Sequence, residues 1–436
     1  MSFIHHDRNN EQMLFPITVI RGGTSRGFYF EGKNVPQPGE GLEEFIFAVR
    51  GSPDPLGMDG LGGDTILQSK AAIISPSSRP DADVDYTFIQ ILPSESATLT
   101  YKMNCGNISA GVPVFALMKN MVPDVKDGLN TIRVYSTNSK KMMYMTVDVR
   151  NGEARVDGDC HIAGVPGTAS KVLVDFRDQG GPFTGHLFPT GNLVDKIKMN
   201  DGTTIGVTVV DMVNPCVFFN AKDFGIGYTG LELPNPDNTL TGPEGIGDRL
   251  AELRAKASHL LGPAWKDQTP ESITKSTLPF AVSVAPPASY TTMDGTEQKA
   301  AEIDLVARFY AGIGTFTGMH SAAPGSCSTC LAAATAIPGT VPNLALAKGS
   351  LKSGKGGDFI LGHPSGSFGP IHAEPKLAAD PSKCTFKALY FPRTARIICD
   401  GTVYVKEEHR ADHASWAEAD DYTAASFFLQ SDTILH

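Results

Sequence analysis

The stretch Asn104-Cys105-Gly106-Asn107-Ile108-Ser109-Ala110-Gly111-Val112-Pro113-Val114-Phe115-Ala116-Leu117-Met118-Lys119 joins a polar, glycine-containing turn to a run that reads as a helix over 108–119. It interrupts a series of strands. Residues 14–21 and 27–30 are strand-like and bracket the turn Gly22-Gly23-Thr24-Ser25-Arg26, and 66–75, 86–92, 97–103, 131–135 and 142–149 are further alternating or β-branched runs. Residues 42–50 have helical spacing (Leu42, Phe45, Ile46, Val49) and stop at Gly51.

The second half repeats the plan. Strands are expected at 204–212, 216–220, 280–285 and 303–309, with a helix inserted over 243–261 and Pro243 in its first turn. A small-residue helix, 328–336, again follows a cysteine-containing turn, Gly325-Ser326-Cys327-Ser328. Strands at 359–362, 386–391 and 396–405 close the pattern, and the tail after Glu407 (Trp416, Tyr422, Phe427, Phe428) reads as a helix. The chain is therefore expected to be α+β, with an N-terminal half at 1–185 joined by 395–436 and a C-terminal half at 186–394. Two such halves facing each other would set two helix N-termini across one cleft.

The composition narrows the function. The 436 residues suit two or three domains, and 41% hydrophobic with 19% charged residues describes an ordinary globular chain. A net charge of −10 argues against nucleic-acid binding. The polar start MSFIHHDRNNEQ has no signal core, and no eighteen apolar residues run together, so no membrane partner is expected. Seven cysteines at irregular spacing do not form a secreted disulfide framework. A cytoplasmic location is the expectation.

A helix N-terminus presents unpaired N–H groups and a partial positive charge, a natural seat for a carboxylate. Opposed N-termini could hold two carboxylates of one ligand on an otherwise acidic protein. The same partial charge favours thiolate in a cysteine placed there, which makes Cys105 a candidate proton donor or acceptor. Its ordinary alternative is a small buried hydrophobe. Lys70 follows Leu61-Gly62-Gly63-Asp64 on an expected strand. It reads either as a solvated strand lysine or, if desolvated in the same cleft, as a base or an electrostatic partner for a developing enolate.

Taken together, Arg21 to Gly27, Gly62-Gly63 with Ser69-Lys70, and Asn104 to Val112 resemble the bacterial 2-methylaconitate cis–trans isomerase family. Pro189-Thr190-Gly191-Asn192, Asn214-Pro215, Met319-His320 to Ala332, and Arg393 to Arg396 with Asp400-Gly401 continue the likeness along nearly the whole chain. The resemblance implies the diaminopimelate-epimerase-like fold, two pseudo-symmetric halves each wrapping a β-sheet around a central helix. Members isomerise 2-methylaconitate, aconitate or 3-methylitaconate, or tautomerise 4-oxalomesaconate, without a cofactor or metal. The catalytic pair it implies is Lys70 and Cys105. Substrate carboxylates are implied near Ser25 and Arg26, near Gly106 and Asn107, and near His320, Ser326, Cys327 and Ser328.

Among members, the likeness is greatest to the fungal aconitate delta-isomerases, which convert cis-aconitate to trans-aconitate. Three departures bear on substrate: Arg26 where the family usually has Lys, Pro113-Val114 where it has Gly-Pro, and Ser326-Cys327 where it has Thr-Gly. Alternative functions are a 2-methylaconitate isomerase, a 4-oxalomesaconate tautomerase, a non-catalytic binder of small polycarboxylates, and a metal-dependent hydrolase. The reading leaves homo-oligomer formation open.

Other signals carry less. Residues 349–356 nearly match a phosphate-binding loop but lack its final Ser/Thr and precede a strand. Cys327-x-x-Cys330 has no second Cys/His pair at zinc spacing, and His409-x-x-x-His413 sits in a charged run. His363-Pro364-Ser365-Gly366 reads as a turn.

Overall fold

The computed structural model describes residues 5–6, 9, 11–228, 245–274, 276–313, 316–320, 322–347 and 349–406. Pro243 and the tail after Lys406, with His409 and His413, lie outside them. The chain divides into two compact units. One comprises Met1–His161, Gly167–Val174 and Arg393–His436; the other comprises Ile162–Pro166 and Asp175–Pro392.

In the first unit, β1 (Gln12–Gly22) and β2 (Ser25–Glu31) form an antiparallel hairpin. Helix α1 (Leu42–Arg50) crosses over to β3 (Lys70–Pro76), which runs parallel to β2. Strand β4 (Val84–Leu92) returns antiparallel, and β5 (Thr98–Thr100) folds back on its end. Then come α2 (Gly106–Ser109), α3 (Val112–Met118), β6 (Gly128–Ser136), parallel to β4, and its antiparallel partner β7 (Lys141–Arg150). Helices fill the parallel crossovers because parallel neighbours need a long connection. The last of the described strands, Thr385–Lys406, returns to close β1 from Gly22↔Ala395 to Gln12↔Lys406.

The second unit is built from β8 (Asp195–Lys198), β9 (Thr204–Met212) and β10 (Asn214–Asn220), each antiparallel to the next. A helical insertion, α4 (Ile246–Ser258) and α5 (Pro270–Thr274), leads to β11 (Phe280–Ala285), parallel to β10. Strands β12 (Leu305–Ile313) and β13 (Phe316–Met319) follow antiparallel. Then come α6 (Gly325–Thr335), α7 (Val341–Ala345), β14 (Gly357–His363), parallel to β12, and its antiparallel partner β15 (Gly366–Lys376). From β1 to β7 and from β9 to β15, strand directions and helix positions repeat in the same order. The duplication is one of topology.

Each unit buries its central helical segment, all but Met118 at the end of α3. Residues 106–109, 112–117 and 325–335 are all buried. A helix apolar or small on every side has no solvent face and becomes a core around which a sheet can wrap. Both threonine hydroxyls of α6 are satisfied within the helix, Thr329 donating to Gly325 O (2.8 Å) and Thr335 to Leu331 O (2.7 Å).

Several sequence expectations shift. The run 108–119 is two helices, because Pro113 has no N–H to donate back and the Tyr29 hydroxyl donates to the Ile108 carbonyl (2.6 Å), in a space that a Cβ at Gly111 would occupy. Strand β3 starts at Lys70, since 65–68 form a turn (Gln68 N–H to Thr65 O, 3.1 Å). Helix α6 starts at Gly325, placing Ser326 and Cys327 in its first turn. Residues 386–391 and 396–405 belong to one long strand. Residues 349–356 form a turn with a short 3₁₀ segment.

In the helical insertion, the Arg254 guanidinium is buried and donates to the carbonyls of Pro279 (3.0 Å), Ile273 (3.1 Å) and Ser276 (2.7 Å). Burial pushes its pKa down to about 10. Arg254→Met keeps most of the packing but strands three carbonyls. We expect it to cost about 2–4 kcal/mol in urea unfolding, against less than about 0.5 kcal/mol for Lys383→Met on the surface. Equal midpoints for the two variants would refute the assignment.

Candidate active site

Cys105 caps α2 with extended backbone (φ −127°, ψ 103°) and is half-buried. The Ser109 hydroxyl and amide both donate to its carbonyl, at 2.8 and 3.0 Å. Asn104 is buried beneath it, accepting from the Ser136 hydroxyl at 3.0 Å. The amides that open α2 have no acceptor within the helix, as at every helix start.

The β1–β2 hairpin carries Ser25 and Arg26 and seats this helix start. A Cβ at Gly22 would lie 2.4 Å from the Asn107 carbonyl oxygen, and one at Gly23 (φ +52°) would lie 2.1 Å from Asn107 Oδ1. Only glycine permits this approach. Asn107 Oδ1 accepts from Arg393 Nε (3.0 Å) and from the Thr24 amide (3.4 Å), which leaves its NH₂ as the group with hydrogens to offer. Arg21 ties the same turn down, donating to the carbonyls of Gly23 and Thr394, both at 2.9 Å. Ser25 Oγ and Arg26 Nε are buried and meet no hydrogen-bond partner among the described residues.

Lys70 is 4% exposed, which corrects the reading of a solvated strand lysine. Its ammonium donates to Gln90 Oε1, lies 5.4 Å from the Phe88 ring centroid, and is a hydrogen-bond neighbour of the Cys105 side chain. Burial lowers its pKa from the usual lysine value, and Cys105 restores part of the loss. Tyr29 and Tyr86 are pushed well up, first by burial. Burial pushes the Arg393 guanidinium down to about 9, with Cys160 and Cys105 acting in the other direction. The first unit thus brings Lys70, Cys105, Gly106, Asn107 and a buried cation together around a donor-rich turn.

In the second unit, Ser326, Cys327 and Ser328 open α6. Asn214 Nδ2 donates to Ser326 Oγ at 2.9 Å, and Ser328 Oγ is buried without a partner among the described residues. Val213, at φ +64°, turns β9 into β10 and so delivers Asn214, a strained conformation for a β-branched residue. Cys327 and Cys330 pack against Cys216, all three fully buried. Among the described residues no group of three or more His, Cys, Asp or Glu is placed to hold a metal ion.

His320 is half-buried and its Nδ1 accepts from the Ala322 amide (3.3 Å). The β14–β15 turn buries His363, whose Nδ1 accepts from the Ser365 amide (3.2 Å), so its proton sits on Nε2. Burial, then Arg308 and His320, push its pKa well below the usual imidazole value.

Sequence reasoning passed over Gln90, and it quoted Asn214 and Arg393 in the family likeness without giving either a role. The available signal was chemical incongruity: an amide inside the apolar run of β4 and a guanidinium on a buried strand position.

The chain matches the family model described as PrpF protein over residues 12–406. It is 37% identical over 400 residues to the 3-methylitaconate isomerase of Eubacterium barkeri, covering 91% of this chain and 99% of that protein. It is 32% identical to the 2-methyl-aconitate isomerase of Cupriavidus necator (90% and 98% covered) and 34% identical to the 4-oxalomesaconate tautomerase of Pseudomonas putida (90% and 97%). A crystal structure of methylitaconate-delta-isomerase superposes with a TM-score of 0.75 at 35% identity, covering 93% of this chain and 98% of that one. These likenesses define an isomerase with the diaminopimelate-epimerase-like fold. The chain belongs to the PrpF family. Among the described residues, no helix is long and apolar enough to cross a membrane.

Gly22→Ala forces the Asn107 carbonyl aside and is expected to cost about 1–3 kcal/mol. Gly227→Ala, whose Cβ meets nothing within 4 Å, is the control. Chemical denaturation of both variants measures the difference, and matching curves would show that the hairpin does not seat α2.

Proposed function

We propose that this chain moves a proton along the allylic system of an unsaturated tricarboxylate without a cofactor, and that its leading reaction is cis-aconitate to trans-aconitate. The observation that carries the reading is the pairing of a desolvated Lys70 with Cys105 at the helix start. A neutral amine beside a thiol can remove and return protons, and a nearby buried guanidinium with backbone N–H groups can stabilise the anion formed between.

Aconitate carries a CH₂ between a carboxylate and an alkene. Loss of one CH₂ proton gives an allylic anion delocalised toward the carboxylates. Protonation at the far carbon regenerates the same skeleton with the double bond moved, and it can set the trans geometry. Lys70 and Cys105 divide removal and return. Asn107 Nδ2 and the opening amides of α2 are the donors offered to one carboxylate. Ser326, Ser328 and the opening amides of α6 are donors of the same kind in the second unit. We read Ser25, Arg26, His320 and Cys327 as further substrate contacts, and the enzyme as soluble in the cytoplasm. The likeness to the fungal enzymes is what favours aconitate over the methylated acids and oxalomesaconate that name the relatives.

Incubation with cis-aconitate, trans-aconitate, 2-methylaconitate, 3-methylitaconate and 4-oxalomesaconate in D₂O, followed by proton NMR, tests substrate and mechanism together. We expect fastest turnover of cis-aconitate with solvent deuterium in the new CH₂. Lys70→Met and Cys105→Ser should each lower kcat by at least about 10²-fold. Full activity in both variants would end the acid–base assignment, and faster conversion of another acid would replace the substrate. The lowered Lys70 pKa adds a sign. The amine acts when neutral, so kcat/KM should rise with pH through a midpoint below the ordinary lysine value and fall away as pH drops below it.

A further inference from the structure

Gln90 stands directly opposite Lys70 in the antiparallel β3–β4 register, and both side chains are buried. Its Nε2 donates to three backbone carbonyls, Ile66 (3.2 Å), Ser69 (2.9 Å) and Ile91 (2.9 Å). Those acceptors fix the amide's orientation, since a flipped amide would aim its oxygen at three oxygens. The remaining atom, Oε1, receives the Lys70 ammonium. The loop supplying two of the acceptors is itself anchored by buried Arg50, which donates to the carbonyls of Pro55 (2.6 Å) and Gly63 (2.8 Å) and to Ser69 Oγ (3.3 Å).

We propose that Gln90 is a positioning residue for Lys70: its locked amide presents a neutral acceptor that holds the amine in place while leaving it free to shed its proton. This rests on Lys70 acting as the base. A carboxylate at that position would hold the lysine charged, and an apolar side chain would let it swing. The groups facing Lys70 fit this role. Strand β4 offers Phe88 and Gln90, the turn before α2 offers Cys105, and β2 brings Gly27 against its carbonyl. Among the described residues, Cys105 is the titratable group acting on its charge, and Tyr29 and Tyr86 beyond it are held neutral by burial.

Two variants push in opposite directions. Gln90→Met removes the acceptor at nearly constant shape and should lower the Lys70 titration midpoint. Gln90→Glu adds an anionic site, so the pair should release its last proton at higher pH. Each change is expected to reach about tenfold in proton affinity. The midpoint is read directly by NMR of protein labelled at lysine Cε, with the Lys70 line assigned as the one missing in Lys70→Met. The acid limb of kcat/KM should move the same way in each variant, with the loss falling on kcat more than on KM. A packing role would alter thermal unfolding but leave both midpoints in place, and unmoved midpoints in folded variants overturn the proposal. If the midpoints separate while the acid limb stays fixed, Gln90 does hold Lys70, and it is the reading of Lys70 as base that fails. If Gln90→Glu does not fold, Gln90→Met decides alone by the same rule.

Discussion

The contact on which the candidate site depends is between backbones. The start of α2 rests against Gly22 and Gly23 so closely that a single methyl group at either position would overlap Asn107. That closeness lets the Asn107 side chain accept from the Thr24 amide and from Arg393 together. It also fixes the height at which Cys105 leaves the turn to meet Lys70. Cys105 and Asn107 are thus placed through main-chain geometry, while the ammonium of Lys70 rests on the Gln90 side chain, and the cations Lys70 and Arg393 are buried where solvent screens them little.

Much of this was legible in the sequence. Strands, the two cysteine-bearing turns and the doubled plan follow from periodicity and turn chemistry, because burial on one or both faces of a sheet leaves a readable pattern. The α2–α3 break was harder to see. Its apolar run reads as one helix, while the interruption at Ala110-Gly111 depends on Pro113 and on Tyr29 from a strand about eighty residues earlier. The burial of Lys70 was equally hidden, since a lysine beginning a strand has no local mark of where its amine ends. Gln90 could be seen only as an oddity until the register set it opposite Lys70. Long-range pairing, which no local window contains, decided these positions.

The two units show how one plan can be kept while its chemistry diverges. Both follow the same order of antiparallel and parallel pairings, and both place a buried helix after a short strand. The first opens its helix with a half-buried cysteine beside a lysine. The second opens its helix with serines and a sealed cluster of three thiols. Strand β11, which follows the parallel crossover as β3 does, begins with Phe280 rather than a lysine.

The last strand also bears on how the protein is made. The second unit is encoded almost without interruption, from Asp175 to Pro392, and a ribosome can release it as a complete folding unit. The first unit cannot finish when its own residues emerge, because β1 pairs with a strand made some four hundred residues later. Until then that edge carries open backbone groups, and Asn107 lacks Arg393. The half translated first is completed last, so a chain cut short before residue 393 lacks both the closing strand and the cation that orients the Asn107 side chain.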